Sequence, residues 1–335
     1  MRLLLSFFVY GLTIAVIAVI AAVGAGYWAM QEYKKPGPLQ QEIVFTVERG
    51  QSAGAIAQNL QTQNIISDAF LFRAGLKFLD GNRYLQAGEY RFEPGMSMQE
   101  IVADMQEGQT VQYQFTIPEC TTSFEVMNIL NDIDMLQGEL VEPPPEGSLY
   151  PDTYNYIRGE NRNDIVQRMQ GIMKETLAES WGARKTDHPN IKTPEDALIL
   201  ASIVEKEAGD PKERPRVAGL FLNRLEKGMR LQSDPTVIYG IVDGRPKTGG
   251  MGPLGRRILR KDLEFDSPYN TYIHTGLPPG PICNPGKASI QAVLEPEEHD
   301  YIYMVADGTG GHAFAKTLRD HNNNVAKWRK IRAAQ

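Results

Sequence analysis

Cysteine and histidine are scarce in this chain. Cys120 and Cys283 are the two cysteines among 335 residues, and five histidines accompany them. Two cysteines allow one disulfide bond, yet nothing in the sequence requires these two to pair. Neither cysteine has a metal-ligand spacing around it, and the histidines form no His-Glu-x-x-His pattern. The sequence therefore predicts neither a metal site nor a bound cofactor.

An excess of positive charge is also missing. The chain has 35 Lys and Arg against 41 Asp and Glu, which gives a formal net charge of −6. A protein that binds nucleic acid neutralises phosphates with clustered Lys and Arg. The local run of Arg256, Arg257, Arg260 and Lys261 lies among acidic residues, which is typical of a solvated surface. We therefore exclude nucleic acid as the main partner.

Charge is absent altogether from the beginning of the chain. No charged residue lies between Arg2 and Glu32, and residues 3–29 are dominated by Leu, Val, Ile, Ala and Phe. A membrane-spanning helix needs about 20 such residues, whereas the apolar core of a signal peptide has about 7–15. The length therefore predicts a retained single-pass anchor within residues 1–36. The small residues at 22–26 leave a cleaved leader as the alternative.

The orientation of this anchor depends on the charges beside it. Arg2 and the amino terminus favour a cytoplasmic start, although Lys34 and Lys35 weaken the asymmetry. In this orientation, everything after residue 36 lies outside the cytoplasm.

The remaining chain has room for about two domains. In residues 40–117, Ile43, Phe45 and Val47 alternate as a strand, two helices follow, and a second strand is expected at residues 87–92. This strand-helix-helix-strand order resembles a LysM-like module, a fold that binds glycan chains in other proteins. A further helix and an outgoing strand at residues 111–117 complete the unit.

Two serines in this unit are predicted to begin helices. Residues 50–54 (GQSAG) match the nucleophile elbow of esterases, but the strand before Ser52 is short and alternating, whereas an elbow follows a buried, continuously apolar strand. Ser52 is therefore expected to be a helix N-cap. Ser97 and Glu100 form the pattern of a capping box, for a helix that ends near Gly108.

Residues 118–335 form a larger second domain after the LysM-like one. The proline-rich segment 142–147 separates a helical stretch from the rest, where helices mix with Gly/Pro-rich loops and late strands such as residues 301–306. The chain shows no internal repeat. We predict an α+β fold with an N-terminal transmembrane helix, a small LysM-like βααβ domain and a larger mixed α/β domain.

The segment 193–208 carries the most informative carboxylates. Thr193 is a good N-cap for a helix that contains Glu205 and Glu207. Two positions on a helix are about 200° apart, so these two side chains point to opposite sides. Glu207 shares its face with large apolar residues, and desolvation there raises the pKa of a carboxyl as a general acid requires. The alternative is that Glu207 pairs with Arg214 or Arg216 where the helix leaves the core.

Several ordered motifs resemble one protein family. They are residues 149–154 (LYPDTY), 201–207 (ASIVEKE), 217–225 (VAGLFLNRL), 228–240 (GMRLQSDPTVIYG), 267–272 (SPYNTY), 276–282 (GLPPGPI), 284–286 (NPG), 305–308 (VADG) and 311–314 (GHAF). Together they resemble the YceG-like family, which comprises the MltG-type endolytic murein transglycosylases. Cys120 departs from the family pattern by replacing a usual glycine, and Cys283 by replacing a small alanine-like residue.

The resemblance implies a membrane-anchored bacterial lyase that acts on peptidoglycan glycan strands, and it assigns the catalytic acid to Glu207. The enzyme would cleave the bond between N-acetylmuramic acid and N-acetylglucosamine and leave 1,6-anhydro ends, with a role in cell wall synthesis and strand termination. The implied location is the inner membrane, with an unidentified partner in the peptidoglycan synthesis machinery. Candidate sugar-binding residues, each also explicable as a cap or turn residue, are Asn223, Gln232, Asp234, Tyr239, Tyr269, Asn270 and Asn284.

Two other functions stay open on the residues alone. One is a hydrolytic muramidase that pairs Glu207 with Asp234 or Asp152, since ordinary glycosidases use two carboxylates. The other is a membrane-tethered glycan-binding scaffold without activity.

Overall fold

The computed structural model describes residues 2–79, 81, 83–247, 249 and 251–334. The helices are α1 (Arg2–Lys34), α2 (Ala53–Thr62), α3 (Ala69–Phe78), α4 (Met98–Glu107), α5 (Ser123–Asn131), α6 (Arg162–Ala183), α7 (Pro194–Glu207), α8 (Arg214–Glu226), α9 (Asp234–Val242), α10 (Lys287–Leu294) and α11 (Leu318–Ala334). The strands are β1 (Ile43–Val47), β2 (Gly88–Phe92), β3 (Tyr113–Thr116), β4 (Thr153–Tyr156), β5 (Tyr303–Ala306) and β6 (His312–Ala315). The mixed α+β class predicted from the sequence is confirmed.

The chain divides into two compact units. The first contains the chain up to Tyr113 together with Tyr156–Gly159, and the second contains Gln114–Asn155 and the chain from Glu160 onwards. This division differs from the single boundary after residue 117 that the sequence suggested, because the short later segment Tyr156–Gly159 belongs to the first unit.

The first unit begins with the long helix α1. Within this helix, the segment Val9–Lys34 has 26 residues and a mean hydropathy of 2.2. Its length and composition are therefore sufficient to cross a membrane. Large apolar side chains along it are exposed, among them Ile14 at 68% and Ile20 at 65%. The last turn differs, because Tyr33 is buried and packs against Gly75 of α3.

The rest of this unit has the predicted order of elements. β1 pairs antiparallel with β2, with Phe45 opposite Tyr90, and α2 and α3 lie between them in the chain. The hydroxyl of Ser52 accepts a hydrogen bond from the backbone of Ala55, so this serine caps α2 as expected. The capping box of Ser97 and Glu100 also forms at the start of α4. The likeness to LysM itself stays a prediction.

The second unit is built around α7. Residues 197–204 of this helix are all buried, because α6, α8, α9 and α10 pack around it. A hairpin of β5 and β6 pairs Ala306 with His312, and α11 packs on both strands. These contacts bring the end of α7, the start of α9 and the hairpin into one unit.

The two cysteines pair in this unit. Cys120 and Cys283 form a disulfide bond across 163 residues, with Cα atoms 4.8 Å apart. The backbone of Cys120 also donates to the carbonyl of Asn284 at 2.8 Å. The carbonyl of Cys120 accepts from the Lys206 ammonium, and the hydroxyl of Ser202 accepts from the backbone of Ile282. The bridge therefore fixes two chain segments against α7.

Candidate active site

Helix α7 has strong start signals and ends at the candidate acid. Thr193 and Asp196 form a reciprocal capping box, and Pro194 occupies the first turn, where its missing N–H costs nothing. Glu207 is the last helical residue, followed by Ala208 in an extended conformation. The carboxyl of Glu207 therefore lies where the buried helix emerges toward solvent, and it is partly buried.

The Glu207 carboxyl is held by one short hydrogen bond. The hydroxyl of Ser233, which is 1% exposed, donates to its Oε1 atom at 2.6 Å. The backbone N–H of Ser233 donates in turn to the hydroxyl of Thr271 at 3.0 Å, and the Thr236 hydroxyl donates to the Ser233 carbonyl at 2.7 Å. Because each partner is buried and bonded, the orientation of Glu207 is fixed before any ligand arrives.

The surroundings of Glu207 favour its protonated form. Burial raises the pKa of this carboxyl above its ordinary value, and the neighbouring Asp234 carboxylate adds to the increase. The hydrogen bond from Ser233 and the charge of Arg224 act in the opposite direction, as does the charge of His312 when its ring is protonated. Among the described residues, no Lys, Arg or His lies within ion-pair distance of Glu207. Arg214 instead pairs with Glu205 and Glu119, and Arg216 with Glu297. Pairing of Glu207 with either arginine is therefore excluded.

Glu207 lines two neighbouring cavities. One of about 230 Å³ is also lined by Arg224, Gln232, Asp234 and Tyr272, and the other, of about 300 Å³, by Trp328 and the glycines of the hairpin tip. Ala306 and His312 line both cavities together with Glu207. A larger cavity of about 660 Å³ elsewhere in the unit includes none of these three residues. We place the site at Glu207 because a cavity there meets a carboxyl whose pKa is raised by burial and which one short hydrogen bond orients.

Glu205 has a different environment. Its side chain is 4% exposed and forms an ion pair with Arg214, while its second oxygen accepts from the backbone of Gly286 at 3.1 Å. Burial raises the pKa of this carboxyl too, and its hydrogen bonds and Arg214 oppose the increase. Glu205 lines neither cavity beside Glu207. Both of its oxygens are thus occupied by structural partners.

Two of the predicted sugar-binding residues lie beside Glu207. Gln232 is exposed on the cavity wall, with a positive φ of 51°. Asp234 begins α9, lines the same cavity and accepts a hydrogen bond from the Tyr272 hydroxyl at 2.6 Å. The structure thus brings Gln232, Asp234 and Glu207 together, as the motif suggested.

The other five candidates line neither cavity at Glu207, and two of them, Asn223 and Asn270, hold loops in place. The Asn223 amide donates to the carbonyls of His299 and Tyr301 at 2.7 and 3.1 Å. Asn270 is fully buried and donates to the carbonyls of Leu263 and Phe265. These amides replace missing backbone partners in irregular segments, which is a structural role.

Asn284, Tyr239 and Tyr269 lie around a second, partly buried carboxyl, that of Glu146. Asn284 is fully buried and donates to Glu146 at 3.3 Å, and the Tyr239 hydroxyl donates to the other oxygen of Glu146 at 3.3 Å. The rings of Tyr239 and Tyr269 are 4.7 Å apart. Burial raises the pKa of Glu146 to about 7. This cluster shares no lining residue with the cavities at Glu207.

Sequence reasoning missed several residues of this site. His312, Arg224, Ser233 and Tyr272 all lie in quoted motifs, but no spacing rule connects them with Glu207. Arg224 donates to the carbonyls of Ile302 and Leu231 at 2.6 and 2.7 Å, so it braces the walls of the cavity. In the sequence, the only sign that these residues belong to the site was that they lie in the family motifs.

Comparison with known proteins identifies the family. The model of the YceG-like family matches residues 45–327. The chain belongs to the YceG-like family. It is 31% identical over 321 residues to the endolytic murein transglycosylase of Bacillus subtilis, covering 85% of this chain and 84% of that protein. It is 26% identical over 336 residues to the endolytic murein transglycosylase of Streptococcus pneumoniae strain D39, but spans 58% of that longer protein.

A solved structure agrees with this membership. The crystal structure of a yceG-like protein from Listeria monocytogenes matches with a TM-score of 0.51 and 31% identity, over 84% of this chain and 98% of that one. The resemblance found in the sequence motifs is therefore confirmed at the level of the family.

Proposed function

We propose that this chain is an endolytic murein transglycosylase, a lyase that cuts the glycan strands of peptidoglycan with Glu207 as its acid. The relatives named above carry this activity in their names, and the chain covers most of the Bacillus protein. The observation that carries the proposal is the Glu207 carboxyl itself. It lines a cavity, its pKa is raised by burial, and one short hydrogen bond orients it.

The chemistry requires one proton donor and then one proton acceptor. Glu207 protonates the oxygen that links N-acetylmuramic acid to N-acetylglucosamine, and the bond to the anomeric carbon breaks. The C6 hydroxyl of the muramic acid then closes on that carbon and loses its proton, which leaves a 1,6-anhydro end. In the simplest scheme Glu207 takes up this second proton. A raised pKa suits the first step because it extends upward the pH range in which the carboxyl still carries a proton to give.

Gln232 and Asp234 are the best-supported residues for holding the sugar. Both line the cavity with Glu207, and Gln232 exposes an amide that can donate and accept hydrogen bonds. Asp234 has one oxygen bonded to Tyr272 and so retains acceptor capacity for a sugar hydroxyl.

Digestion of purified glycan strands tests the proposal. We expect products that end in 1,6-anhydromuramic acid, one water lighter by mass than hydrolysed ends. A hydrolytic muramidase would give reducing ends instead, and Asp234 would be its second carboxylate because Asp152 lines neither cavity at Glu207. Intact strands that remain bound would point to an inactive scaffold and would overturn the assignment of activity.

The apolar helix supports a membrane location for this activity. We propose that residues 1–36 anchor the chain in the bacterial inner membrane, with the rest on the outer side of that membrane. The exposed apolar side chains of Val9–Lys34 would then face lipid. The anchored protein should resist extraction by high salt and need detergent for release. A mature chain that begins near Gly26 and washes off in salt would contradict this.

The first unit is a candidate glycan-binding module. Its strand-helix-helix-strand order and its own buried core support a LysM-like role. We expect removal of residues 43–107 to weaken binding to whole sacculi while cleavage of soluble strands persists. Unchanged sacculus binding by a truncated chain that melts normally would assign the unit another role.

A further inference from the structure

We propose that His312 is a second catalytic residue, which accepts the proton of the muramic C6 hydroxyl through Nε2. The inference rests on the proposed transglycosylase function and deepens it. It divides the two proton transfers between Glu207, which donates to the leaving oxygen, and an imidazole that lines the same cavities.

The first observation is how His312 is held. Its Nδ1 atom lies 2.8 Å from Oε2 of Glu213, and its backbone N–H donates to the other oxygen of Glu213 at 3.0 Å. Both oxygens of one carboxylate thus fix the ring and the strand that carries it. With Nδ1 protonated against Glu213, Nε2 is left with a lone pair. An imidazole backed by a carboxylate is the usual arrangement of a general base.

The second observation is where His312 lies and that its other nitrogen has no partner. His312 begins β6 and is one of the residues that line both cavities beside Glu207. Within the described residues, Nε2 of His312 makes no hydrogen bond. The His312 side chain keeps 16% of its surface exposed. Nε2 is therefore the free end of a ring whose other end is fixed.

The third observation is the charge around the ring. Glu213 lies on one side, Glu207 shares the cavities, Asp307 lies in the hairpin tip, and Arg224 lines the cavity of about 230 Å³. Arg224 stays charged and its side chain bonds backbone carbonyls, so it cannot accept a proton. Asp234 keeps acceptor capacity, but Tyr272 holds one of its oxygens and its remaining acceptor sites are proposed to bind a sugar hydroxyl. Among these groups, His312 combines a fixed ring with a free acceptor.

The proposed step accounts for every proton and for the electron pair of the broken bond. Glu207 gives its proton to the glycosidic oxygen, and the electron pair of the broken bond goes to that oxygen. The C6 oxygen forms a new bond to the anomeric carbon, and its proton passes to Nε2 of His312. The enzyme is then left with Glu207 ionised and His312 protonated. Transfer of that proton to Glu207 through water restores the starting state, so no other reactant is consumed.

The test compares matched histidine variants of the full chain on purified glycan strands. His312→Asn places an amide near the position of Nδ1, which preserves a contact with Glu213 but removes Nε2. His274→Asn is the control, because His274 is exposed and lines neither cavity. Glu213→Gln tests the support of the ring. Measurements are kcat, KM, melting temperature and the ratio of anhydro to reducing ends.

We expect His312→Asn to lower kcat at least about tenfold with KM and melting temperature nearly unchanged, because a positioned base contributes ~10²–10⁴-fold. Water should then compete with the C6 hydroxyl, so the share of reducing ends rises. Glu213→Gln should give a smaller loss, and His274→Asn none.

Normal kcat and an unchanged product ratio in His312→Asn would overturn the proposal, as would a loss explained by a lower melting temperature. Failure of the proposed function is distinguishable, because the unmodified enzyme would then release no anhydro ends at all.

Discussion

Two carboxylates near the end of α7 meet different surroundings. Glu205 is enclosed, with Arg214 on one oxygen and the backbone of Gly286 on the other. Glu207 faces a cavity and receives one hydrogen bond, from Ser233. One side of the helix end therefore holds the fold together, whereas the other is arranged for proton transfer. Burial alone does not separate the two roles, because it raises the pKa of both groups.

The comparison shows that the catalytic acid is distinguished by its access to a cavity and by its hydrogen-bond partners. Both oxygens of Glu205 accept hydrogen bonds from structural partners and its side chain lines neither cavity at Glu207, so it is not placed to give a proton to a substrate bound there. A carboxyl with one orienting bond and an open face can do so. Changes on the Glu205 side should therefore reduce stability, and changes on the Glu207 side should reduce the rate.

The largest expected effect is on the rate of cleavage, from a change at Glu207. Glu207→Gln keeps size and hydrogen bonding but removes the transferable proton, so the rate should fall by at least ~10²–10⁴-fold. Binding of glycan should survive. Since the raised pKa makes the ionised form of Glu207 unfavourable in the fold, stability is lost as pH rises through that pKa. The variant should therefore melt no lower than the unmodified protein, and somewhat higher at alkaline pH. A large drop in melting temperature would indicate a structural role instead.

The next largest expected effect is on stability, from removal of the disulfide bond. Replacing both cysteines in Cys120→Ala/Cys283→Ala should lower the free energy of unfolding by about 2–4 kcal/mol, because the bridge closes a long loop. Urea denaturation measures this loss.

Cys120 supplies a matched control for that experiment. Its φ is 59°, which glycine adopts at little cost. The pair Cys120→Gly/Cys283→Ala should therefore be more stable than the pair with alanine at 120. In both variants the rate per folded molecule should remain close to normal. A loss of rate without loss of stability would mean that the bridge shapes the cavity.

A smaller loss of stability is expected from Glu205 itself. Glu205→Gln leaves a neutral partner for Arg214, so unfolding should become easier by about 1–3 kcal/mol. Salt should have little influence because the Glu205 side chain is only 4% exposed. Denaturation curves with and without salt check this expectation. An unchanged midpoint would show that the pair adds nothing to stability.

The smallest effects are opposite shifts of the pH profile. Asp234→Asn removes a negative charge that raises the pKa of Glu207, so the alkaline limb of kcat/KM should move to lower pH. Ser233→Ala removes a hydrogen bond that lowers the same pKa, so the limb should move to higher pH. Profiles of kcat/KM against pH report both. Shifts in the same direction would contradict the assignment of this limb to Glu207.

The sequence predicted the local elements well. The capping signals at Ser52, Ser97 and Thr193 correctly located α2, α4 and α7, because caps act over three or four residues. Alternation located β1. The separation of Glu205 and Glu207 around the helix also followed from periodicity alone.

Contacts between residues that are far apart in the chain could not be predicted from local sequence patterns. The argument from helix faces expected Glu207 to be the desolvated carboxyl, but α7 is buried on all sides and the Glu205 side chain is 4% exposed. Asn270 and Asn284 were candidate sugar-binding residues, and their amides donate to backbone carbonyls, of Phe265 five residues away and of Thr121 163 residues away. His312 lies far along the chain from Glu207, and only the hairpin brings it to the cavity.

Release of anhydro-muropeptides by Glu207→Gln and Glu205→Gln, assayed side by side on the same glycan strands, tests the central claim most directly. Melting curves of both proteins show that each is folded at the assay temperature. We predict that Glu205→Gln releases 1,6-anhydro ends at a rate near that of the unmodified enzyme, while Glu207→Gln releases none above background. Normal turnover by Glu207→Gln together with an inactive Glu205→Gln would contradict the account.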